Sequence, residues 1–195
     1  MPLFFLRSFT GIKVVAVRGM LASSAIAVKG FKKKIYLHLS NSFGLFKNVC
    51  FQASTKIEFD DIRKVMGNAA QIKLAGNLPK KSNPQLHPGK EKEIGTLRMV
   101  NIARIAPEKN LRFALEILKD VKSVVVFDFY GPIYNQSYFE SCLQIIKDLP
   151  ANVQVNNKGS IESALVSSTL QKYDVLFMPT QGENFGHIIL EAFMN

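Results

Sequence analysis

The chain of 195 residues has no tryptophan, only two cysteines and three histidines. Cys50 and Cys142 are isolated, without the spacing of a metal-binding or disulfide framework, so a zinc module and a disulfide-stapled secreted fold are excluded and free thiols in a reducing compartment are expected. His38, His87 and His187 are not spaced as a ligand set, and no Asp-x-Asp pair occurs anywhere, so nothing in the sequence is arranged to hold a divalent ion. No uninterrupted run of about 18 apolar residues exists, and a membrane span is not expected. The small-residue stretch Met20-Leu-Ala-Ser-Ser-Ala-Ile-Ala27 resembles a signal-cleavage site. Lys13 and Arg18 interrupt the apolar segment that would have to precede it, so a cytoplasmic location is expected instead.

Acidic residues are also scarce, 15 against 25 Lys and Arg, for a net charge of +10. The deficit is local: residues 1–93 carry 16 basic and 5 acidic side chains, whereas residues 94–195 carry 9 and 10. Lys29, Lys32, Lys33 and Lys34 cluster on a segment that also presents Phe31, Ile35, Leu37 and Leu39. That pattern fits either a solvated basic helix face or peripheral contact with anionic lipid at the inner membrane surface. No nucleic-acid recognition motif accompanies the lysines, and nucleic acid is not an expected partner.

What is present is a core-forming composition, 47% hydrophobic, arranged as short apolar runs alternating with helical periods. Strands are expected near residues 12–17, 49–53 and 71–75, with helices near 25–43 and 56–66. After a polar run with three prolines, Asn77 to Glu93, strands are expected near 97–102, 123–129, 152–155 and 175–178, alternating with helices near 111–121, 135–149, 161–172 and from Phe185. Alternation of this kind specifies parallel α/β sheets. The resulting division is residues 1–77, a linker at 78–93, and residues 94–195.

Two strand-to-helix junctions carry chemistry. In Val175-Leu-Phe-Met-Pro-Thr-Gln-Gly-Glu-Asn-Phe-Gly-His-Ile-Ile-Leu-Glu191 a buried strand passes through a glycine-containing turn into a helix. Glu183 then precedes the helix and Glu191 lies within it, on the order of 10 Å apart at helical rise. Backbone amides at Gly186 and His187 lie between them, a suitable place for an anion. An acid near a helix start also simply complements the helix dipole, and a second acid simply solvates its outer face. The second junction, Thr96 to Leu111, places Arg104 and Lys109 in a loop beyond another strand, and Leu111, Ala114, Leu115 and Leu118 follow at a core-facing helical period. In an open parallel sheet ligands bind beyond the carboxyl ends of the strands, so both loops are expected to open onto one crevice. An arginine fork and a lysine point charge match a diphosphate.

These residues resemble the retaining GT-B glycosyltransferases of group one (family four), which carry a Glu-x7-Glu motif and an upstream Arg/Lys pair. Ala103-Arg104 with Pro107-Glu-Lys-Asn110, Asp128-Phe-Tyr-Gly131, Asn157-Lys-Gly159-Ser160 and Met178 to His187 follow the family's order and spacing. Val17-Arg18-Gly19-Met20-Leu21, Lys32-Lys33-Lys34 and Phe51-Gln-Ala-Ser54 are similar to the last third of its N-terminal domain. The resemblance implies a GT-B-like fold of two partial Rossmann-like domains with parallel sheets, incomplete at both termini. It implies a nucleotide-sugar donor, a glycan or lipid-linked acceptor, no cofactor and no metal. Arg104 and Lys109 would hold the donor diphosphate, and Glu183 would contact the sugar at the reacting centre. Phe185, Gly186 and His187 would place backbone amides against sugar and phosphates, and Glu191 would bind the ribose hydroxyls. Val17 stands where a proline often precedes Arg-Gly. The acceptor loops and the usual N-terminal histidine have no counterpart, so the chain alone is expected to show no turnover. A non-catalytic remnant with nucleotide binding only, and a basic membrane-surface module, are the competing readings.

Overall fold

A computed structural model describes residues 9–27, 30–78, 92, 94–183 and 186–194. The chain divides into two compact units, Met1–Leu78 and Pro79–Asn195.

In the first unit three parallel strands, β1 (Lys13–Ala16), β2 (Val49–Ala53) and β3 (Gln71–Leu74), lie in the order β1-β2-β3. Helices α1 (Ser23–Ala27) and α2 (Gly30–Ser42) follow β1, and α3 (Lys56–Met66) crosses from β2 to β3. Alternation along β2 buries Val49, Phe51 and Ala53 on one face, where Ile62 of α3 packs against them. Thr55 caps α3, its hydroxyl accepting from the Glu58 amide at 3.1 Å, which satisfies an amide the helix cannot bond itself. The buried Glu58 carboxylate turns away from the helix: Oε1 accepts from the Gly19 amide at 2.5 Å, and Oε2 from the Ser54 amide and hydroxyl at 2.7 and 2.6 Å. One acid thereby fastens the Arg18-Gly19 turn, where both residues have positive φ (50° and 75°), to the end of β2. The single helix expected over 25–43 consists of α1 and α2, with residues 28 and 29 outside the described set. Lys33 bends back to donate to the Ala25 carbonyl at 2.5 Å, capping α1 and so leaving the exposed lysine cluster.

The second unit holds a four-stranded parallel sheet, β4 (Thr96–Ile102), β5 (Val124–Tyr130), β6 (Val153–Asn157) and β7 (Val175–Leu176), in the order β6-β5-β4-β7. Helices α4 (Leu111–Leu118) and α5 (Gln136–Lys147) cover one face. Leu111, Ala114, Leu115 and Leu118 of α4 and Phe139, Cys142 and Ile145 of α5 enclose Met99, Val125, Phe127 and Phe129. Each fully buried leucine contributes about 1.5–3 kcal/mol by its removal from water. Side chains one residue out of register, Val100 and Ile102, face the other side with α6 (Val166–Leu170) and α7 (His187–Phe193). Helices on both faces of a parallel sheet define a doubly wound α/β unit.

Three elements of this second unit also differ from expectation. Helix α4 ends at Leu118, and the region expected as one helix over 161–172 is a 3₁₀ turn, Ser163–Leu165, followed by the five-residue α6. Strand β7 has two ladder residues, extended by the Phe177 amide donating to the Val100 carbonyl at 2.8 Å before Pro179, which has no amide to give. The polar run at 79–91 lies outside the described residues.

Candidate functional site

The first junction begins where β4 leaves the sheet. The Ala103 amide donates to the Tyr130 carbonyl (3.0 Å) and the Ile105 amide to the Pro132 carbonyl (2.9 Å), so the loop after β4 runs alongside the loop after β5. Between these bonds the backbones are in direct contact. Gly131 sits at φ +146°, and a Cβ there would lie 1.9 Å from the Ala103 carbonyl oxygen. Pro107–Lys109 then form a 3₁₀ turn, and Asn110 in the left-handed conformation reverses the chain into α4.

The second junction docks on the first. The Gln181 amide donates to the Glu108 carbonyl at 3.0 Å, the Thr180 hydroxyl is shared between the Glu108 and Gly182 carbonyls at 3.1 and 2.9 Å, and Asn101 Nδ2 donates to the Phe177 carbonyl at 2.8 Å. The Glu183 loop is thus held against the Arg104–Lys109 loop by backbone and short polar groups. Gly186, at φ +66°, then opens α7.

Two groupings of charged residues result. Lys109 Nζ and Glu183 Oε2 form an ion pair of 2.7 Å, with only 15% and 28% of their side chains exposed. Arg104, His187 and Glu191 line a cleft of about 310 Å³ beyond the carboxyl ends of β4 and β5. Ala103, Tyr130, Gly131, Pro132 and Ile161 form more of its wall. Arg104 is oriented from outside the cleft: Glu108 Oε1 is 3.5 Å from its Nη2, and its guanidinium carbon lies 4.9 Å over the Tyr134 ring. Both contacts leave guanidinium donors available, since a face-on cation–π contact uses none. Gly186 caps the helix that carries His187 and Glu191, and Phe185 lies outside the described residues.

Several contributors had no role assigned from the sequence. Glu108 and Tyr134 orient Arg104. Tyr130 supplies part of the cleft wall, and its hydroxyl is 3.2 Å from that of Tyr173. The Tyr173 hydroxyl donates in turn to the buried Asp128 carboxylate at 2.7 Å. Burial first, and then the bond to Asp128, pushes the Tyr173 hydroxyl far above the ordinary tyrosine range, so it stays protonated. Among the described residues no three His, Cys, Asp or Glu side chains converge as a metal site. A larger hollow of about 550 Å³ in the first unit, bordered by Leu21, Lys34, His38 and Asp61, contains none of the predicted site residues.

The fold has counterparts among known proteins. The family profile described as glycosyl transferases group 1 matches residues 79–195. The chain belongs to that family. Among solved structures, HepE from Anabaena in complex with UDP-glucose superposes on this glycosyltransferase chain with a TM-score of 0.74 at 14% identity, covering 99% of this chain and 54% of HepE. The lipopolysaccharide outer core galactosyltransferase WaaB in its apo form gives 0.61 at 16% identity, covering 98% of this chain and 56% of its own. A TarM variant of S. aureus in complex with fondaparinux, alpha-GlcNAc-glycerol and UDP gives 0.58 at 17%, covering 84% and 31%. The group 1 chain therefore spans about half the length of HepE and WaaB. At these identities the likeness is one of fold, a GT-B α/β architecture with parallel sheets. No curated protein matches the sequence significantly. Among the described residues no helix is long and apolar enough to cross a membrane.

Proposed function

We propose that this chain is the donor-binding part of a retaining glycosyltransferase that moves a sugar from a UDP-type nucleotide sugar to an acceptor hydroxyl during glycan or polysaccharide assembly. The observation that carries the reading is the meeting of Arg104, His187 and Glu191, from separate crossovers, on one cleft at the carboxyl edge of a parallel sheet. That edge is where doubly wound folds take nucleotides, and the cleft volume falls within the range of small-ligand sites. The complexes of HepE and TarM with UDP or its sugar support the same donor class.

Each residue then has a role set by its charge. When the bond from the anomeric carbon to the diphosphate oxygen breaks, the nucleoside diphosphate leaves with one more negative charge. Arg104, oriented by Glu108 and Tyr134, meets that charge with N–H donors in place of a divalent ion, and Lys109 adds its ammonium once released from Glu183. Lys109 and Glu183 neutralise one another at 2.7 Å, and a diphosphate competes for Lys109, turning the Glu183 carboxylate toward the sugar hydroxyls. Glu191, an acceptor pair on a helix, suits the vicinal hydroxyls of ribose. His187 and Gly186 present the start of α7 to the phosphates, and Phe185 belongs to the same loop in sequence. The acceptor is a glycan or lipid-linked hydroxyl. A cytoplasmic position at the inner membrane surface is supported by Phe31, Ile35 and Leu39, exposed at 79%, 44% and 47% at four-residue spacing on α2 beside Lys32 and Lys34.

Isothermal titration with UDP and GDP tests the donor site. Saturable UDP binding is expected, weakened about 10- to 100-fold in Arg104→Ala and Glu191→Ala, as for loss of a charge-assisted hydrogen bond. Equal affinity in both variants and the unaltered chain would remove the assignment. Nucleotide binding without transfer uses the same cleft, and turnover of a UDP-sugar by this chain alone would eliminate that reading.

A further inference from the structure

Asp128 is a carboxylate inside a strand core, 6% exposed, between Phe127 and Phe129. It neither lines the donor cleft nor touches Arg104, yet three donors from two stretches of chain reach for it. Asn156 of β6 donates to Oδ1 at 2.7 Å, Tyr173 from the turn before β7 donates to Oδ2 at 2.7 Å, and Lys158 from the loop after β6 lies 3.5 Å from Oδ2. A proton inventory fixes the direction of the next bond. Tyr173 has one hydroxyl proton and gives it to the carboxylate, so at the 3.2 Å contact Tyr130 is the donor and Tyr173 the acceptor. The relay runs from Tyr130 through Tyr173 to Asp128. The tyrosine hydroxyl proton at the cleft wall is therefore directed inward, and the raised Tyr173 value agrees with a hydroxyl that keeps its proton.

We propose that Asp128 is a positioning residue for the donor cleft. Through Tyr173 it locks the ring of Tyr130 as a fixed wall whose hydroxyl proton is withheld from the ligand, and through Asn156 and Lys158 it ties that wall to the loop leading to Ile161 on the same cleft. Affinity for a nucleoside diphosphate thus depends on a carboxylate that does not touch it. The inference rests on the donor-site reading above.

A double-mutant cycle on UDP affinity, with melting temperature measured alongside, tests it. Tyr173→Phe keeps the ring in its apolar surroundings and removes only the relay, and Tyr130→Phe removes the outer hydroxyl. Tyr173→Phe is expected to weaken UDP binding about 5- to 20-fold, the scale of one hydrogen bond in a chain ending on a charge. In the Tyr130→Phe background the same change should cost less than about two-fold, because the relay is already cut. Asp128→Asn, with one amide oxygen for three donors, should resemble Tyr173→Phe. Unchanged UDP affinity in Tyr173→Phe, or equal loss in both backgrounds, overturns the positioning role while leaving the donor site standing. Failure of the unaltered chain to bind UDP overturns the donor site itself, and this role with it.

Discussion

Gly131→Ala tests whether the cleft depends on direct contact between two backbones. The added Cβ would lie 1.9 Å from the Ala103 oxygen, 2.7 Å from its carbonyl carbon and 3.3 Å from the Arg104 nitrogen, and φ of +146° disfavours any side chain there. Ordinary contact begins near 3.4 Å, so the loops must part by more than about 1 Å, an overpacking strain of the kind that closely packed interiors resist. The obstacle is main chain pinned on both sides, by the Ala103 amide to Tyr130, the Ile105 amide to Pro132 and the Gly131 amide to Gly159 at 2.8 Å. Loss of about two of these bonds at ~1 kcal/mol each, with ~1–3 kcal/mol of backbone strain, gives a destabilisation of about 3–5 kcal/mol. At about 3–5 °C per kcal/mol for a domain of this size, the melting temperature should fall by roughly 10–20 °C.

The functional consequence follows from the same displacement. Arg104 begins where the clash ends, so its guanidinium moves with the loop, and UDP affinity should fall about 10-fold or more. Gly182→Ala is the matched control, since a Cβ there meets nothing within 4 Å and its φ lies outside the positive range. Differential scanning fluorimetry and UDP titration of both variants decide the matter. A Gly131→Ala chain that melts within about 2 °C of the unaltered protein and binds UDP within two-fold would refute this account of the cleft.

Two further outcomes concern other parts of the molecule. Glu58→Gln leaves one acceptor oxygen for the Gly19 and Ser54 donors, which should cost about 1–3 kcal/mol and loosen the positive-φ turn; limited trypsin digestion should cut faster after Arg18, and unaltered cleavage would show that Glu58 does not hold the turn. On the alkaline side, burial raises Cys142, Tyr138 and Tyr173 above their ordinary values. The folded state keeps protons that the unfolded chain loses, so their contribution is complete below the unfolded values and drains away as pH rises past about 9 for the thiol and about 10 for the tyrosines. The melting temperature should therefore decline above pH 9, less steeply in Tyr173→Phe, and a flat profile to pH 11 would contradict the assignment.

Legibility in the sequence followed the strength of packing. Leu111, Ala114, Leu115 and Leu118 recur at helical spacing because all four are buried in the core of the second unit, and the period names the helix directly. Residues 25–43 carry no comparable constraint. Only Ser40 of α2 is buried, while Phe31, Ile35 and Leu39 face outward, so no core contact specifies where one helix stops and the next begins. The 161–172 region misleads for a different reason. Its apolar residues serve a short turn and α6, packing against Val100 and Ile102, and spacing alone cannot separate this from one continuous helix.

The site divides along a related line. Arg104, Lys109, Glu183, His187 and Glu191 could be proposed from two strand-to-helix junctions together with the family resemblance, since the sheet topology puts such junctions at the carboxyl ends of the strands. The partners that orient them depend on register. Glu108 is one turn from Arg104 and looks like any surface acid until the Thr180 hydroxyl and the Gln181 amide settle on its carbonyl. Asp128 did leave a trace, an acid inside Val-Val-Val-Phe-Asp-Phe-Tyr, where burial without partners would be prohibitive. That trace announces that donors must converge on the strand. It cannot name Asn156, Lys158 and Tyr173, because they arrive only once β6 pairs beside β5 and the turn before β7 reaches the same strand. A charge in a buried strand is thus a statement about three-dimensional pairing written in one dimension, and its partners become readable only with the strand order.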